Sequence, residues 1–269
     1  MKTLDLPDIR IPGDMSPEEM PDLLRYWYLG SRARRHMMRK RFLQVDAEVA
    51  PERIGRVLDV GSAWGYNVMV LTRLGKTAIG MDLVPDQFEA GQRVAAANGL
   101  DLPVVGADAS NLPFAAGEFD GVTLVETFEH IFDADREKVV AECHRVLRKG
   151  GRLVLSTPNH GSFVERFKRA AVRLPWLQRR LPTMCYPAES VGRGEYHPYR
   201  YHRPEPVRMI TRLLEEQGFN ILKTKYFLFV LKNTPDGVYP VFELLERAAE
   251  RTAWVNRLAA TVCVVGEKP

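Results

Sequence analysis

Short apolar runs alternate with amphipathic stretches through the middle of the chain, and most of the runs end in an acid. Val57-Leu58-Asp59-Val60 leads into Gly61-Ser62-Ala63-Trp64-Gly65-Tyr66, and Ile79-Gly80-Met81 ends in Asp82. Val104-Val105-Gly106-Ala107-Asp108-Ala109 ends a third run in an acid, and residues 119–126 form a fourth. Runs that are apolar throughout read as parallel strands covered on both faces, while the stretches between them carry the helical period. A helix is expected over about 134–147, then a Lys149-Gly150-Gly151 turn and a fifth strand over 152–156. Further on, 206–217 predicts a helix closed by Gly218, 221–231 a strand, 241–258 an amphipathic helix and 261–266 a last strand. Alternation of this kind predicts an α/β fold.

Two segments stand outside the alternation. Near the N-terminus, Ser16 is placed to cap a helical pattern that starts at Pro17 and Glu18. Residues 23–45 then hold Arg25, Arg32, Arg34, Arg35, Arg39, Lys40 and Arg41 and no acid, with Tyr26, Trp27, Tyr28, Met37, Met38 and Phe42 available for apolar contact. After strand five, Phe163, Val164, Phe167, Ala170, Ala171 and Leu174 make one helical stripe with Arg166, Lys168, Arg169 and Arg173 around it. That basic amphipathic stretch, with Trp176 behind it, reads as a docked surface helix, a lid over a site, or a membrane-interface segment over 161–182. The expected organisation is an N-terminal helical cap over 1–50 and one α/β domain over 51–269 with an insertion at 160–204.

The strand ends carry the candidate chemistry. In an open α/β sheet, ligands sit at the carboxyl ends of the strands, where an acid can hold ribose hydroxyls. The glycine loop lacks the second glycine of G-x-G-x-x-G, and Asp59 before it would repel a nearby pyrophosphate. An acid there suits a ligand carrying an ammonium or sulfonium.

Asp59-x-Gly61-x-Ala63-x-Gly65 resembles motif I of class I S-adenosylmethionine-dependent methyltransferases, with Ala63 where the middle glycine usually stands. The order Gly-Ala-Asp-Ala, Leu-Pro-Phe, Phe-Asp, Glu-His and Arg-Val-Leu-Arg-Lys-Gly-Gly is similar to the same family, over about 56–159 and more loosely over 204–222. The resemblance implies a Rossmann-like seven-stranded sheet with helices on both faces and its last strand inserted antiparallel; N-terminal helices and an inserted helical lid after strand five complete the expected fold. It also implies S-adenosyl-L-methionine as cofactor and S-adenosyl-L-homocysteine as product. Asp82 would then accept from both ribose hydroxyls, Leu83 would pack on adenine, and Asp108 and Ala109 would meet the adenine edge. Gly61, with Ser62, Ala63 and Gly65 in the same loop, and the carbonyl near Glu126 would hold the methionine ammonium, while Asp59 organises the loop. A single methyl at Ala63 is accommodated if its φ stays negative.

Glu126-Thr127-Phe128-Glu129-His130 supplies the catalytic candidates, Glu129 and His130, just past strand four. An imidazole, with an ordinary pKa near 6.5, suits proton removal at neutral pH. The order resembles the Glu-x-x-Glu-His of ubiquinone-pathway O-methyltransferases, which implies a divalent ion on Glu126, Glu129 and His130 as the alternative to a site without metal. His197, Tyr199 and His202 could line an acceptor pocket from a loop.

Composition narrows the remaining choices. No apolar run approaches a membrane span, the N-terminus has no hydrophobic signal core, and Cys143, Cys185 and Cys263 are isolated, so a cytoplasmic chain is expected, peripheral at the membrane if 161–182 docks there. The leading reading is methyl transfer to an oxygen or nitrogen of a small or lipid-like acceptor, with no nucleic acid favoured. An RNA methyltransferase and a non-catalytic cofactor-binding partner subunit remain as alternatives.

Overall fold

The computed structural model describes residues 8–49, 51, 53–172, 202–231 and 234–269. Seven strands, β1 (Arg56–Val60), β2 (Thr77–Asp82), β3 (Val104–Gly106), β4 (Phe119–Val125), β5 (Leu147–Pro158), β6 (Asn220–Phe227) and β7 (Thr261–Glu267), form one sheet in the order β3-β2-β1-β4-β5-β7-β6. The first five are parallel, and β7 lies antiparallel between β5 and β6. The expected α/β sheet with its inserted last strand is therefore present. The strand order reverses between β1 and β4, which opens a crevice at their carboxyl ends.

Strand side chains alternate between two cores. Val57, Val154, Cys263 and Val265 join Val45 and Val49 of α2 (Arg32–Val49), Val68 and Leu71 of α3 (Tyr66–Arg73) and Val94 of α4 (Phe88–Ala97). Leu58, Leu153, Leu155, Val262 and Val264 face Val139, Val140 and Val146 of α5 (Asp133–Val146) and Ile210 and Leu214 of α7 (Val207–Glu216). Full burial of each such aliphatic side chain contributes roughly 1.5–3 kcal/mol, so apolar packing on both faces fixes the sheet. The buried thiols of Cys143 and Cys263 are pushed up to about 12 by burial and offer no reactive thiolate.

Three expectations are corrected. The first helix, α1 (Asp22–Tyr28), starts after Pro21 and not at Pro17. Ser16 and Glu19 only close a turn, because the ring of Pro21 disfavours helical backbone at Met20. Strand β6 stops at Phe227, where Leu228 takes φ 75° and turns the chain out of the sheet. The C-terminal helix α8 (Tyr239–Arg251) ends at Thr252, an extended residue, and a separate single turn covers Asn256–Leu258. Helix α6 (Phe163–Val172) follows β5 as expected; Arg173, Leu174, Trp176, His197 and Tyr199 lie outside the described residues.

Candidate active site

Helix α2 crosses the sheet above β4, β5 and β7 and lays one of its faces over the strand ends. The result is a cavity of about 860 Å³ between α2, the strand ends and α6. Ligand pockets run from roughly 300 to 1,000 Å³, so this one has room for a nucleoside-sized group and a second molecule.

One end of the cavity is made by the glycine loop. Gly61 and Gly65 have φ of 77° and 85°. A Cβ on Gly61 would collide with the Thr127 side chain, and one on Gly65 would come within 2.6 Å of Leu102, so only glycine fits. Backbone N–H groups of Gly61 and Ser62 both donate to the Met81 carbonyl, at 2.8 and 2.9 Å, tying the loop to the end of β2. Asp59 is buried beneath the loop, with Oδ1 accepting from Asn67 Nδ2 at 2.8 Å and Thr123 Oγ1 at 2.7 Å. Burial raises its carboxyl to about 6, against the lowering effect of those two donors.

Ala63 departs from expectation: its φ is +48°. Its N–H donates to Asp82 Oδ2 at 2.9 Å, and this bond holds an L-residue in the left-handed region. Asp82 Oδ1 accepts the Val84 N–H at 3.0 Å. A carboxylate has about four lone-pair sites, so capacity remains for hydroxyl donors from a ligand. Burial raises the Asp82 carboxyl, and the N–H groups of Val84 and Ala63 pull it back. Leu83 is 51% exposed and lines the cavity beside Asp108 and Ala109, with Asp108 held in a turn by the Ser110 N–H at 2.8 Å.

At the other end, β4 runs into Glu126, which has φ 54°, and into the single turn Phe128–His130. Glu126 accepts from Ser156 Oγ at 3.2 Å and pairs with Arg41 of α2 at 2.9 Å. Glu129 is buried, accepts from Thr157 Oγ1 at 2.9 Å, and lies 4.0 Å from His130 Nε2. Burial pushes both Glu126 and Glu129 up to about 7, against the positive charge of Arg41, which lowers both. The His130 and His202 rings lie 5.2 Å apart, and Glu129, His130 and His202 can each bring a ligating atom within 4.8 Å of the others. Of the expected grouping Glu126, Glu129 and His130, Glu126 is paired with Arg41, and His202 stands beside Glu129 and His130. Beyond these polar groups the walls are mainly apolar, with Ile131, Phe163, Val164, Phe167, Val230 and Leu231, interrupted by Asp135, Ser162, Glu165 and Lys168.

All the candidate residues named in the sequence that are described here line this cavity except Gly65, which shapes the loop from behind. Sequence reasoning missed Arg41 as a site residue, although Met37, Met38, Arg41 and Phe42 have the spacing of one helical face and all four line the cavity. It also missed the aromatic layer in which Tyr66 packs on Phe42 at 4.8 Å and on Trp64 at 5.5 Å.

Residues 58–155 match the family model of a methyltransferase domain. The chain is 34% identical over 174 residues to a demethylmenaquinone methyltransferase of Thermus thermophilus, spanning 63% of this chain and 72% of that protein. It is 32% identical over 127 residues to a ubiquinone biosynthesis O-methyltransferase of Cereibacter sphaeroides, 47% of this chain and 50% of the other. In fold it is similar to an S-adenosylmethionine-dependent methyltransferase of Thermotoga maritima, described as a possible histamine N-methyltransferase, with a TM-score of 0.61, 20% identity, and 90% and 93% of the two chains covered.

Proposed function

The chain belongs to the class I S-adenosylmethionine-dependent methyltransferases, and from that membership we propose that it methylates an oxygen or nitrogen of a small, lipophilic acceptor. The observation that carries the reading is the apolar half of the cavity, where Ile131, Phe163, Val164 and Phe167 stand just beyond Glu129 and His130. Relatives named for demethylmenaquinone, ubiquinone biosynthesis and tocopherol support an acceptor of this kind.

S-adenosylmethionine supplies an electrophilic methyl group on a sulfonium. In this reading Asp82 takes the ribose hydroxyls, Leu83 covers adenine, Asp108 and Ala109 meet its edge, and Gly61 with the strand end at Glu126 receives the ammonium. The protein's remaining task is alignment, which can supply much of the rate. Phe42, Met37 and Met38 close the cavity from α2, and Phe163 and Phe167 from α6. His130 takes the acceptor's proton, and Glu129 orients it. The clustering of Glu129, His130 and His202 favours a second reading of the same residues. One carboxylate and two imidazoles suit a divalent transition ion, which would acidify an acceptor hydroxyl.

Transfer of labelled methyl from S-adenosylmethionine into lipid and polar-metabolite extracts tests the proposal. Label should enter the organic phase, and His130→Ala should lower its rate on the order of 10²–10⁴-fold with cofactor still bound. Loss of transfer on adding EDTA selects the ion, and indifference to EDTA selects the base. Label found only in polar metabolites, or in no extract, contradicts the lipophilic acceptor.

A further inference from the structure

Helix α8 is turned inside out. Its acids face the protein: Glu246 is buried and receives His36 Nε2 at 2.7 Å, Lys40 Nζ at 2.5 Å, and the N–H groups of Phe229 and Val230 at 2.5 and 3.0 Å. Glu250 takes Lys40 at 2.6 Å and the Leu228 N–H at 2.8 Å. With the acids inward, the leucines are left outside. Val241, Leu244 and Leu245 are 59%, 68% and 59% exposed, and Trp254, just past the helix, is 74% exposed. Surface helices ordinarily do the reverse, and a contiguous exposed apolar face marks an interaction surface.

The surrounding charge says what covers it. Every exposed charged residue over 239–260 is an arginine: Arg247, which pairs with the half-buried Glu243 at 2.9 Å, and Arg251 and Arg257, whereas Glu246 and Glu250 turn inward. A second copy would set Arg251 and Arg257 against their counterparts with no exposed acid in the segment to receive them. Leucine, tryptophan and arginine together suit the interface of a bilayer with anionic headgroups. The face also adjoins the cavity mouth. Tyr239 packs with Val230, and Val230 and Leu231 line the cavity. Leu231, Phe163 and Phe167 line it and are exposed as well. Among the described residues no helix is long and apolar enough to cross a membrane.

We propose that the outer face of α8, with Trp254, seats the protein on an anionic membrane surface, with the apolar cavity mouth beside the seat. The mouth's role as an acceptor entrance rests on the lipophilic-acceptor reading; the membrane contact itself is measured without acceptor or cofactor, so the two can fail separately. The full chain is floated with phosphatidylcholine vesicles, with and without phosphatidylglycerol. Wild type should float with the anionic vesicles and be released by salt. The variant Leu244→Ser/Leu245→Ser/Trp254→Ser should bind about tenfold less or weaker still, with thermal midpoint and S-adenosylhomocysteine affinity unchanged. Absence of wild-type flotation at low salt overturns the proposal, as does a folded variant that floats equally well. A wild-type dimer that the variant dissociates, with no flotation, assigns the face to a second copy and overturns it too.

Discussion

Alanine at position 82 is expected to weaken S-adenosylhomocysteine binding about a hundredfold or more in a protein that still folds. Two hydrogen bonds from ribose hydroxyls to a carboxylate are at stake, each roughly 1.5–3 kcal/mol before compensation. A loss of about 2.8 kcal/mol is already a hundredfold in Kd. The substitution also frees the Ala63 N–H, which Asp82 Oδ2 holds at 2.9 Å, and with it the constraint that keeps Ala63 at φ +48°. Asparagine at 82 keeps one acceptor oxygen and should fall between the two. Asp108→Ala should cost less, because its carboxylate is exposed and would meet a single amino group. Calorimetry showing unchanged affinity in folded Asp82→Ala contradicts the ribose assignment; a larger loss from Asp108→Ala means the two acids are exchanged.

Glu246→Ala should be strongly destabilising, at about 3–5 kcal/mol, the usual cost of removing one partner from a buried ion pair. It removes one of the two carboxylates that hold Lys40, leaving Glu250 alone to pair it, and leaves the Phe229 and Val230 N–H groups without their acceptor. Burial opposes the charge on Glu246, but His36, Lys40 and the Phe229 N–H outweigh it and bring the carboxyl down from 4.5 to about 2. A depressed carboxyl stabilises the fold fully above its unfolded pKa and less as protons return. The gap between wild type and Glu246→Ala in urea unfolding should therefore be widest above about pH 5 and shrink from 4.5 toward 2. The variant should also bind cofactor less well, since this cluster holds α2, whose Met37, Met38, Arg41 and Phe42 roof the cavity. An equally stable variant, or a gap that ignores pH, contradicts this role.

The strand ends were legible because their signals are local. Apolar runs ending in Asp59, Asp82 and Asp108 report strands covered on both faces, and Gly61 and Gly65 mark turns that need positive φ. Ala63 was misread because its backbone is set by a bond to Asp82, nineteen positions away. The pairing of Arg41 with Glu126 was illegible for the same reason: it joins two elements that only the sheet brings together. Helix α8 shows the limit most clearly. Its period gives two faces but not which one turns inward. The usual assumption fails because Leu228 turns the chain out of the sheet, and Phe229 and Val230 then present N–H groups that only a carboxylate from α8 receives. Glu246 lies 210 positions from His36, and no window along the chain relates them.

The strand-end cavity is expected to hold the cofactor with its sulfur facing Glu129, His130 and His202, and the mainly apolar walls beyond. A crystal structure with S-adenosylhomocysteine tests this most directly. It should place the ribose hydroxyls on Asp82, adenine between Leu83 and Asp108, and the sulfur turned toward His130 with the Phe163 and Phe167 side of the cavity open for the acceptor. A ribose bound away from Asp82, or a sulfur facing away from His130, would contradict it.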